Sequence, residues 1–369
     1  MNRMKLGEIL SVKHGWAFKG EYFAEDGEQS ILTPGNFFEK GGFKPNNGKE
    51  RYYTGTYPKE YLCHKGDLIV AMTQQAEGLL GSTALVPENN KYLHNQRIGL
   101  ITCDEKRLNK LFAYYLFMTK SVREQLERSS SGTKVKHTSP EKIYDVEVEI
   151  PDVISQQKIA NLLWAIDEKI ANNNAINDNL ASMAYDIYMH TFFSKKPNGK
   201  LKDILIEADK SSVQVGEAKQ STGEYPFFTS GSAILKWDIP FINGRNCFLN
   251  TGGNADVKFY VGEAAYSTDT WCISTNNNMS DYLYLLLVSI KPELNQKFFQ
   301  GTGLKHLQKP LLKDRPIYIP DFEKLKTFNE QVNPMFNIIS ENTRENQALI
   351  TLRDWLLPML MNGQATISD

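Results

Sequence analysis

The chain has 369 residues, of which 41% are hydrophobic and 23% are charged. This length is too great for one ordinary core and fits two or three domains, and the composition is typical of a globular protein. The formal net charge of −1 excludes a protein that coats nucleic acid through bulk charge, although a local patch of cations still permits specific binding.

The N-terminal segment MNRMKLGEIL lacks the apolar core of a signal peptide, and no apolar run is long enough to cross a bilayer. The four cysteines are far apart and form no CxxC pair, and the histidines do not complete a metal-ligand spacing with them. We therefore expect a cytoplasmic protein with buried thiols and no structural zinc.

Residues 1–150 are predicted to form a first domain of mixed helices and strands. Short apolar runs next to turn residues indicate strands within residues 65–72, 81–86 and 97–102. Apolar and aromatic residues at helical spacing predict a helix over residues 110–129.

Residues 151–195 are predicted to form a long helix, because glycine and proline are absent between Pro151 and Pro197. About 38 helical residues would make a rod of roughly 57 Å. Residues at spacings of three and four form a heptad seam, as in a coiled coil. The seam positions are Leu163, Ile166, Ile170, Asn173, Asn177, Leu180, Ala184 and Ile187.

Residues 196–320 are predicted to be a second, shorter copy of the mixed domain. Residues 201–210 resemble residues 6–15, and residues 243–253, 267–274 and 281–290 take the places of the later strands and helix. Residues 321–369 then hold a second long helix, predicted from Phe322 to Asn362. A shift by the interval from Gly132 to Gly301 places its seam on Val332, Met335, Ile339, Asn342, Asn346, Leu349, Arg353 and Leu356, with Leu352 expected to turn inward instead of Arg353.

The strongest sign of duplication is the segment that enters each long helix. GTKVKHTSPEKIYDVEVEIPD (132–152) and GTGLKHLQKPLLKDRPIYIPD (301–321) share Gly, Thr, Lys, His, Ile, Pro and Asp, and each shared residue is separated from its copy by the same interval. A duplicated unit has approximate two-fold symmetry, and duplex DNA is the commonest partner with that symmetry. The fold class is therefore α+β, with two mixed domains and two long helices packed antiparallel as a coiled coil.

Asparagines recur in the apolar seam of both predicted helices, at Asn173 and Asn177 and again at Asn342 and Asn346. Buried amides reduce stability but fix register, because a slipped alignment leaves them unpaired. The alternative is that Asn173 and Asn342 are simply exposed to solvent.

No catalytic constellation is apparent. Residues 299–303 match the FxGxG loop of an amino-methyltransferase, and residues 333–336 faintly resemble the NPPF motif that holds a flipped adenine. The FxGxG match lacks its second glycine in the other copy of the repeat. The NPPF-like match falls within a predicted helix. A nuclease centre at Asp152, Asp167, Glu168 and Lys169 is disfavoured, because carboxylates that hold catalytic magnesium should lie on strands. Asp167 and Lys169 lie instead on the predicted helix, where they fit a solvated face. No P-loop, HExxH or GxSxG motif occurs.

The remaining interpretation is a DNA-binding surface made from equivalent loops of both domains. Glycine lets a backbone approach phosphate while lysine neutralises it, and amide and guanidinium groups read base edges. The predicted DNA-binding residues are Lys13, Lys19, Gln74, Gln75, Gln96, Arg97, Lys134, Lys136, His137, Lys236, Arg245, Asn254, Lys258, Lys305, His306 and Lys309.

Two mixed domains, each followed by a long helix entered through GT…IPD, resemble the specificity subunit of a type I restriction–modification enzyme. GEILSVKHGWAFKGEYF, KGDLIVAM and HNQRIGL are similar to the first target-recognition domain, and STDTW and GTGLKHLQK to the second. The two helices resemble the central and distal spacers, and the resemblance covers essentially the whole chain.

The resemblance implies a prokaryotic, non-catalytic subunit without a cofactor. Each target-recognition domain would read one half of a bipartite site in double-stranded DNA. The helices would set the gap and dock two methylation subunits, with restriction subunits as optional further partners. Alternatives are the specificity subunit of another multisubunit restriction–modification system, a stand-alone methyltransferase or nuclease, and a scaffold without DNA contact.

Overall fold

The computed structural model describes residues 1–46, 48–74 and 78–367. It divides into two units. The first comprises Met1–Glu168 together with the C-terminal segment that starts at Ile350, and the second comprises Lys169–Leu349. Gln75, one of the predicted DNA-binding residues, lies outside the described residues.

The first unit is built from short strands, as the sequence predicts. These are β1 (Asn2–Lys5), β2 (Leu10–His14), β3 (Phe23–Ala24), β4 (Ser30–Ile31), β5 (Tyr52–Tyr53), β6 (Leu68–Ala71), β7 (Thr73–Gln74), β8 (Thr83–Leu85), β9 (Tyr92–Leu93), β10 (Ile98–Cys103), β11 (Lys136–His137) and β12 (Glu147–Ile150). Four strands form a sheet in the order β2-β10-β6-β8, and a second sheet has the order β3-β5-β4-β9. β1 pairs with β12, and β7 pairs with β11.

The second unit repeats this topology. Its strands are β13 (Gly199–Lys200), β14 (Leu205–Glu207), β15 (Tyr225–Phe228), β16 (Ile234–Trp237), β17 (Arg245–Asn250), β18 (Val257–Val261), β19 (Ala265–Tyr266), β20 (Thr270–Thr275), β21 (Phe299–Gln300), β22 (His306–Leu307) and β23 (Pro316–Ile317). The sheet order β14-β20-β17-β18 corresponds strand for strand to that of the first unit. Each unit also has a parallel strand pair, β4 with β9 and β15 with β19.

The helices follow the predicted segments closely. They are α1 (Lys110–Leu116), α2 (Lys120–Ser129), α3 (Pro140–Tyr144), α4 (Val153–Tyr188), α5 (Val215–Ala218), α6 (Ser280–Ser289), α7 (Lys291–Glu293), α8 (Lys309–Lys313) and α9 (Phe322–Met361). The single helix predicted over residues 110–129 is two helices. Thr119 separates them and caps the second, because its side chain accepts a hydrogen bond from the Val122 amide.

In the second unit, α4 and α9 pack antiparallel through a ladder of asparagines. Asn173, only 1% exposed, donates from Nδ2 to Oδ1 of Asn346 over 2.9 Å. Asn342 donates in the same way to Asn177 over 2.8 Å. Asn346 donates in turn to Asn174 over 2.9 Å. The seam asparagines are therefore hydrogen-bonded to one another, and full exposure of Asn173 and Asn342 is wrong.

The apolar seam positions pack around this ladder. In the second unit Val332 is buried, and Ile170, Leu180, Met335, Ile339 and Leu349 are half-buried. In the first unit Leu163 and Ile166 are buried, and Leu163 packs in the same cluster as Leu360 and Met361. Each unit thus contains a part of both helices within its own core.

The prediction for the last heptad is wrong. Leu352 is 44% exposed, whereas Arg353 turns towards α4 and donates to Oδ1 of Asp167 over 2.7 Å. The other carboxylate oxygen of Asp167 accepts a 2.6 Å bond from the Tyr115 hydroxyl. Asp167 therefore does not lie on a solvated face, since the ion pair and the tyrosine bond offset its desolvation.

The described helices include none with an apolar stretch sufficient to span a membrane.

Replacement of Asn173 with Ala should lower the free energy of unfolding by about 1–3 kcal/mol, because Asn346 loses a buried donor. Chemical denaturation measures the change, and Asn172→Ala, at an exposed position of the same helix, is the matched control. The double variant Asn173→Leu/Asn346→Leu should recover most of the loss, since both amides are then removed. Equal effects of the two alanine variants would contradict a register-fixing ladder.

Candidate nucleic-acid interface

The repeated GT-Lys-His segments form equivalent turns in the two units. In the first unit, Ser131 and His137 bridge the base of the turn, with backbone bonds of 2.9 and 2.8 Å, and β11 pairs with β7. In the second unit β21 pairs with β22, and His306 bridges Gly252. Each turn is thus attached to a neighbouring strand or loop of its own unit.

Both turns depend on the repeated glycine. Gly132 and Gly301 have φ values of 98° and 151°, which lie in the region that L side chains rarely adopt. A Cβ at Gly132 would lie 2.0 Å from the carbonyl oxygen of Val135, and one at Gly301 would lie 2.6 Å from that of Leu304. Val135 and Leu304 are themselves equivalent positions of the repeat, so the same backbone contact is made in both copies.

Some cations of the two turns are exposed without an ion-pair partner, and others are engaged by neighbouring side chains. Lys134, Lys305 and His306 are exposed, and the part of the chain that the structure describes offers no ion-pair partner to the two lysines. Lys136 instead pairs with Glu127. Lys309 lies 5.0 Å from the centroid of the Trp271 ring, and burial lowers its pKa. Of the turn lysines, Lys134 and Lys305 therefore remain available to a ligand, and their contact with phosphate stays a prediction.

A second exposed edge of the first unit is formed by the turn between β9 and β10. Gln96 and Arg97 are exposed there. Trp16, which is 40% exposed, is joined to this turn by its backbone amide, which donates to the His94 carbonyl over 2.8 Å. Burial lowers the pKa of His94 to about 4, and its Nε2 lies 2.8 Å from the Ile98 carbonyl oxygen. The neutral histidine thus supports the turn, and its exposed neighbours Gln96 and Arg97 remain predicted DNA contacts.

Several predicted DNA-binding residues are instead engaged by the fold. Gln74 is only 7% exposed and accepts a 2.7 Å bond from the Leu80 amide. Lys13 donates to the Glu60 carbonyl over 2.9 Å, and Lys258 donates to that of Thr229 over 3.0 Å. These side chains are therefore already hydrogen-bonded within the fold, and their contact with DNA stays a prediction.

Arg245 has the most extensive contacts of this kind. Its guanidinium grips the carboxylate of Asp281 at 2.8–3.1 Å and donates to Asn337 over 2.7 Å. Burial raises the pKa of Asp281, and the arginine opposes that shift. Removal of Arg245 would leave a buried carboxylate without its charge partner. Arg245 therefore joins β17 to α6 and α9, and its contact with DNA stays a prediction.

The remaining predicted positions are placed as follows. Lys19 and Asn254 are exposed, and Lys236 is half-buried on β16. His137 is exposed, and its Nδ1 lies 3.1 Å from the Thr73 hydroxyl. Sequence reasoning overlooked Trp16, Lys49 and Arg51, an aromatic residue and two cations that are exposed on the first unit. The feature of the sequence that could have indicated Lys49 and Arg51 is the extra length of the first domain, because an added loop can carry additional cations.

The residues of the two motifs considered for methyltransferase chemistry form part of the folded secondary structure. Phe299 is buried in β21, and Asn333 and Pro334 lie within α9. Among the described residues no group of three or more His, Cys, Asp or Glu side chains is arranged to hold a metal ion. Burial raises the pKa of the thiols of Cys63, Cys103 and Cys272 to about 12, which keeps them as neutral packing groups.

Comparison with known proteins identifies this architecture. The chain matches the family model of the type I restriction modification DNA specificity domain over residues 1–182 and again over residues 194–349. The protein therefore belongs to the type I restriction–modification DNA specificity family, as the sequence resemblance indicates.

Individual relatives are distant. The chain is 22% identical to the type I restriction enzyme MjaIX specificity subunit of Methanocaldococcus jannaschii, over 70% of this chain and 69% of that protein. It is also 22% identical to the MjaVIII specificity subunit of the same organism, over 45% of this chain and 39% of that protein. The crystal structure of the S subunit of a type I system from M. genitalium has the same fold, with a TM-score of 0.65, 15% identity and coverage of 100% of this chain and 96% of that one.

Replacement of Gly301 with Ala should strain the second turn by about 1–3 kcal/mol and weaken DNA binding. The matched control is Gly303→Ala in the same loop, where an added Cβ meets nothing within 4 Å. Thermal unfolding and fluorescence anisotropy with a DNA duplex measure the two effects. A Gly301 variant that behaves like the Gly303 variant would show that the turn conformation is not required.

Proposed function

We propose that this protein is the non-catalytic DNA sequence-recognition subunit of a type I restriction–modification complex. The observation that carries the proposal is the repetition of sheet order and GT-Lys-His turn in two units of one chain. A protein with two similar reading surfaces suits a bipartite DNA site, with one half for each domain. Phosphate contacts from the exposed turn lysines would position the duplex, and base edges would be read by neighbouring side chains.

The two domains are proposed to read different half-sites. The parallel pairs β4–β9 and β15–β19 align Leu93 with Tyr266. Gln96 then corresponds to Asp269 in the second unit. An amide group reads adenine, whereas a carboxylate accepts from cytosine. This difference in chemistry supports independent readout by the two units.

The helices are proposed to dock two methylation subunits, which would carry the methyltransferase chemistry. Large apolar side chains that are exposed on α4 and α9 support this docking. They are Ile176, Met183 and Ile338 in the second unit and Trp355 in the first. The chain alone is proposed to have no methyltransferase or nuclease activity. Methyl transfer from S-adenosylmethionine to DNA by the purified chain would favour the stand-alone enzyme instead.

Methylation mapping tests the central proposal. Cells that express this chain with its methylation partners should show a bipartite methylated motif that disappears when the gene is deleted. Exchange of residues 1–150 for those of a relative should change one half of the motif and leave the other half and the gap intact. A change in both halves would refute independent readout, and the absence of any motif would refute the proposed function.

The spacer role predicts that the gap depends on helix length. Four residues inserted after Asn177 in α4, matched by four before Asn342 in α9, keep the asparagine ladder paired and lengthen the helix pair by roughly 6 Å. One base-pair step is about 3.4 Å, so the gap should grow by one or two base pairs. The added turn also rotates the helices by about 40°, which should weaken binding somewhat.

The control for this experiment carries the insertion in α4 alone. That insertion displaces the part of α4 beyond Asn177 relative to α9, so the variant should lose stability without gaining a new defined gap. An unchanged gap in the matched variant would mean that the helices do not set the spacing.

A further inference from the structure

The first unit contains a cationic cleft whose described lining has no residue of the GT-Lys-His turn. It has a volume of about 510 Å³, within the range of ordinary ligand sites. The described lining residues come from the β4–β5 connection, from β7, from the β7–β8 connection and from the turn before β10. Lys49, Arg51 and Arg97 supply its positive charge, and its described lining contains no acidic residue.

The cleft wall is a feature of the first unit alone. The connection between β4 and β5 spans residues 32–51, whereas the equivalent connection between β15 and β16 spans residues 229–233. The short connection reads TSGSA and has no charged residue. The extra length of the first domain, evident in the sequence, is thus largely a loop that brings cations.

The described part of this long loop is held by its own hydrogen bonds. The buried side chain of Asn36 accepts a 2.8 Å bond from the Thr33 amide and donates to the Lys44 carbonyl over 3.3 Å. At the end of the loop, the Arg51 carbonyl accepts from the Ile31 amide over 2.8 Å. The backbone that presents Lys49 and Arg51 is therefore held at both ends, which limits the entropy lost on binding.

The charges of the cleft are not neutralised within the protein. Elsewhere in the loop, Lys40 pairs with Asp354 at 2.8 Å. Among the residues that the structure describes, no acidic side chain forms an ion pair with Lys49, Arg51 or Arg97. Three cations converging on one cleft without a counter-charge repel one another, and a polyanion relieves that repulsion.

The cleft also adjoins the proposed DNA-binding turn. The hydroxyl of Thr73, a residue of the cleft wall, lies 3.1 Å from Nδ1 of His137 on β11. Arg97 belongs both to the cleft and to the exposed turn that carries Gln96. A DNA strand following the turn would therefore pass from Lys134 and His137 towards the cleft.

The geometry points to the sugar–phosphate backbone of duplex DNA as the ligand of this cleft, with Lys49, Arg51 and Arg97 each neutralising phosphate beside the half-site read by the first domain. The inference rests on the proposed function. It makes the two units unequal, because the first half-site receives an electrostatic contribution that the second lacks. Phosphate contacts carry no sequence information directly, so the cleft would add affinity and orientation to the first half-site.

The triple variant Lys49→Gln/Arg51→Gln/Arg97→Gln tests the inference in the full chain. The probes are the mapped bipartite duplex and the same duplex with its first half-site scrambled, and anisotropy gives Kd over a range of salt. We expect Kd at about 0.15 M salt to rise on the order of 10–100-fold on both duplexes, with the salt slope reduced by about 3. The variant should fold normally, since these side chains make no ion pair within the described residues, and thermal unfolding checks this.

The matched control is Lys65→Gln/Lys106→Gln/Lys120→Gln, which removes the same number of charges from exposed positions of the first unit outside the cleft. It should keep Kd within about twofold and retain the salt slope, since phosphate contacts set that slope.

A cleft variant with the wild-type slope, or one that only loses discrimination at a single base pair, overturns the phosphate role. If the wild-type chain discriminates the two duplexes normally in that experiment, the proposed function survives. A wild-type chain that binds neither duplex overturns both.

Discussion

The hydrogen bonds of the buried asparagines restrict α4 and α9 to one alignment. An unpaired amide inside the helix pair costs more than the same amide gains when bonded, so a shifted register is penalised. Asn346 is the repeat equivalent of Asn177, and Asn342 is that of Asn173. The bonds Asn173–Asn346 and Asn342–Asn177 are therefore the two copies of one contact, as in an isologous interface. The duplication thus provides its own complementary seam within a single chain.

The repeat also shows where the two copies have diverged. Asp167 and Arg353 form an ion pair in the first unit, and their equivalent positions in the other copy are Phe336 and Ala184. Both of these are buried in the core of the second unit. A buried ion pair and a well-packed apolar pair can fill equivalent sites at similar stability, whereas a mixture of the two would leave a charge unpaired. The exchange of both partners together is what this constraint requires.

The net charge of the chain says little about how it binds DNA, because many cations are used within the fold. Arg245 holds Asp281, and Arg123 donates to the carbonyls of Phe117, Gly78, Leu80 and Glu39, with burial lowering the pKa of Arg123 to about 10. Among the described residues, the GT-Lys-His turns and the β4–β5 loop carry cations that face outward without an acidic partner. Affinity for a polyanion depends on that local distribution. A chain with a formal charge of −1 can therefore bind DNA at defined places and avoid coating it.

The sequence by itself determined the features that depend on local pattern and on repetition. Helical spacing and the absence of proline and glycine located α4 within a few residues, and the constant repeat interval located α9, the duplicated units, the asparagine seam and the family. The individual roles of polar side chains were decided only by tertiary structure. Nothing local distinguishes Gln74, which bonds the Leu80 amide, from the exposed Gln96, and Arg353 takes a seam position because Asp167 meets it from another helix. Whether a charged or amide group is consumed inside the fold or presented to a ligand depends on partners distant in sequence, and their positions exist only once the chain has folded.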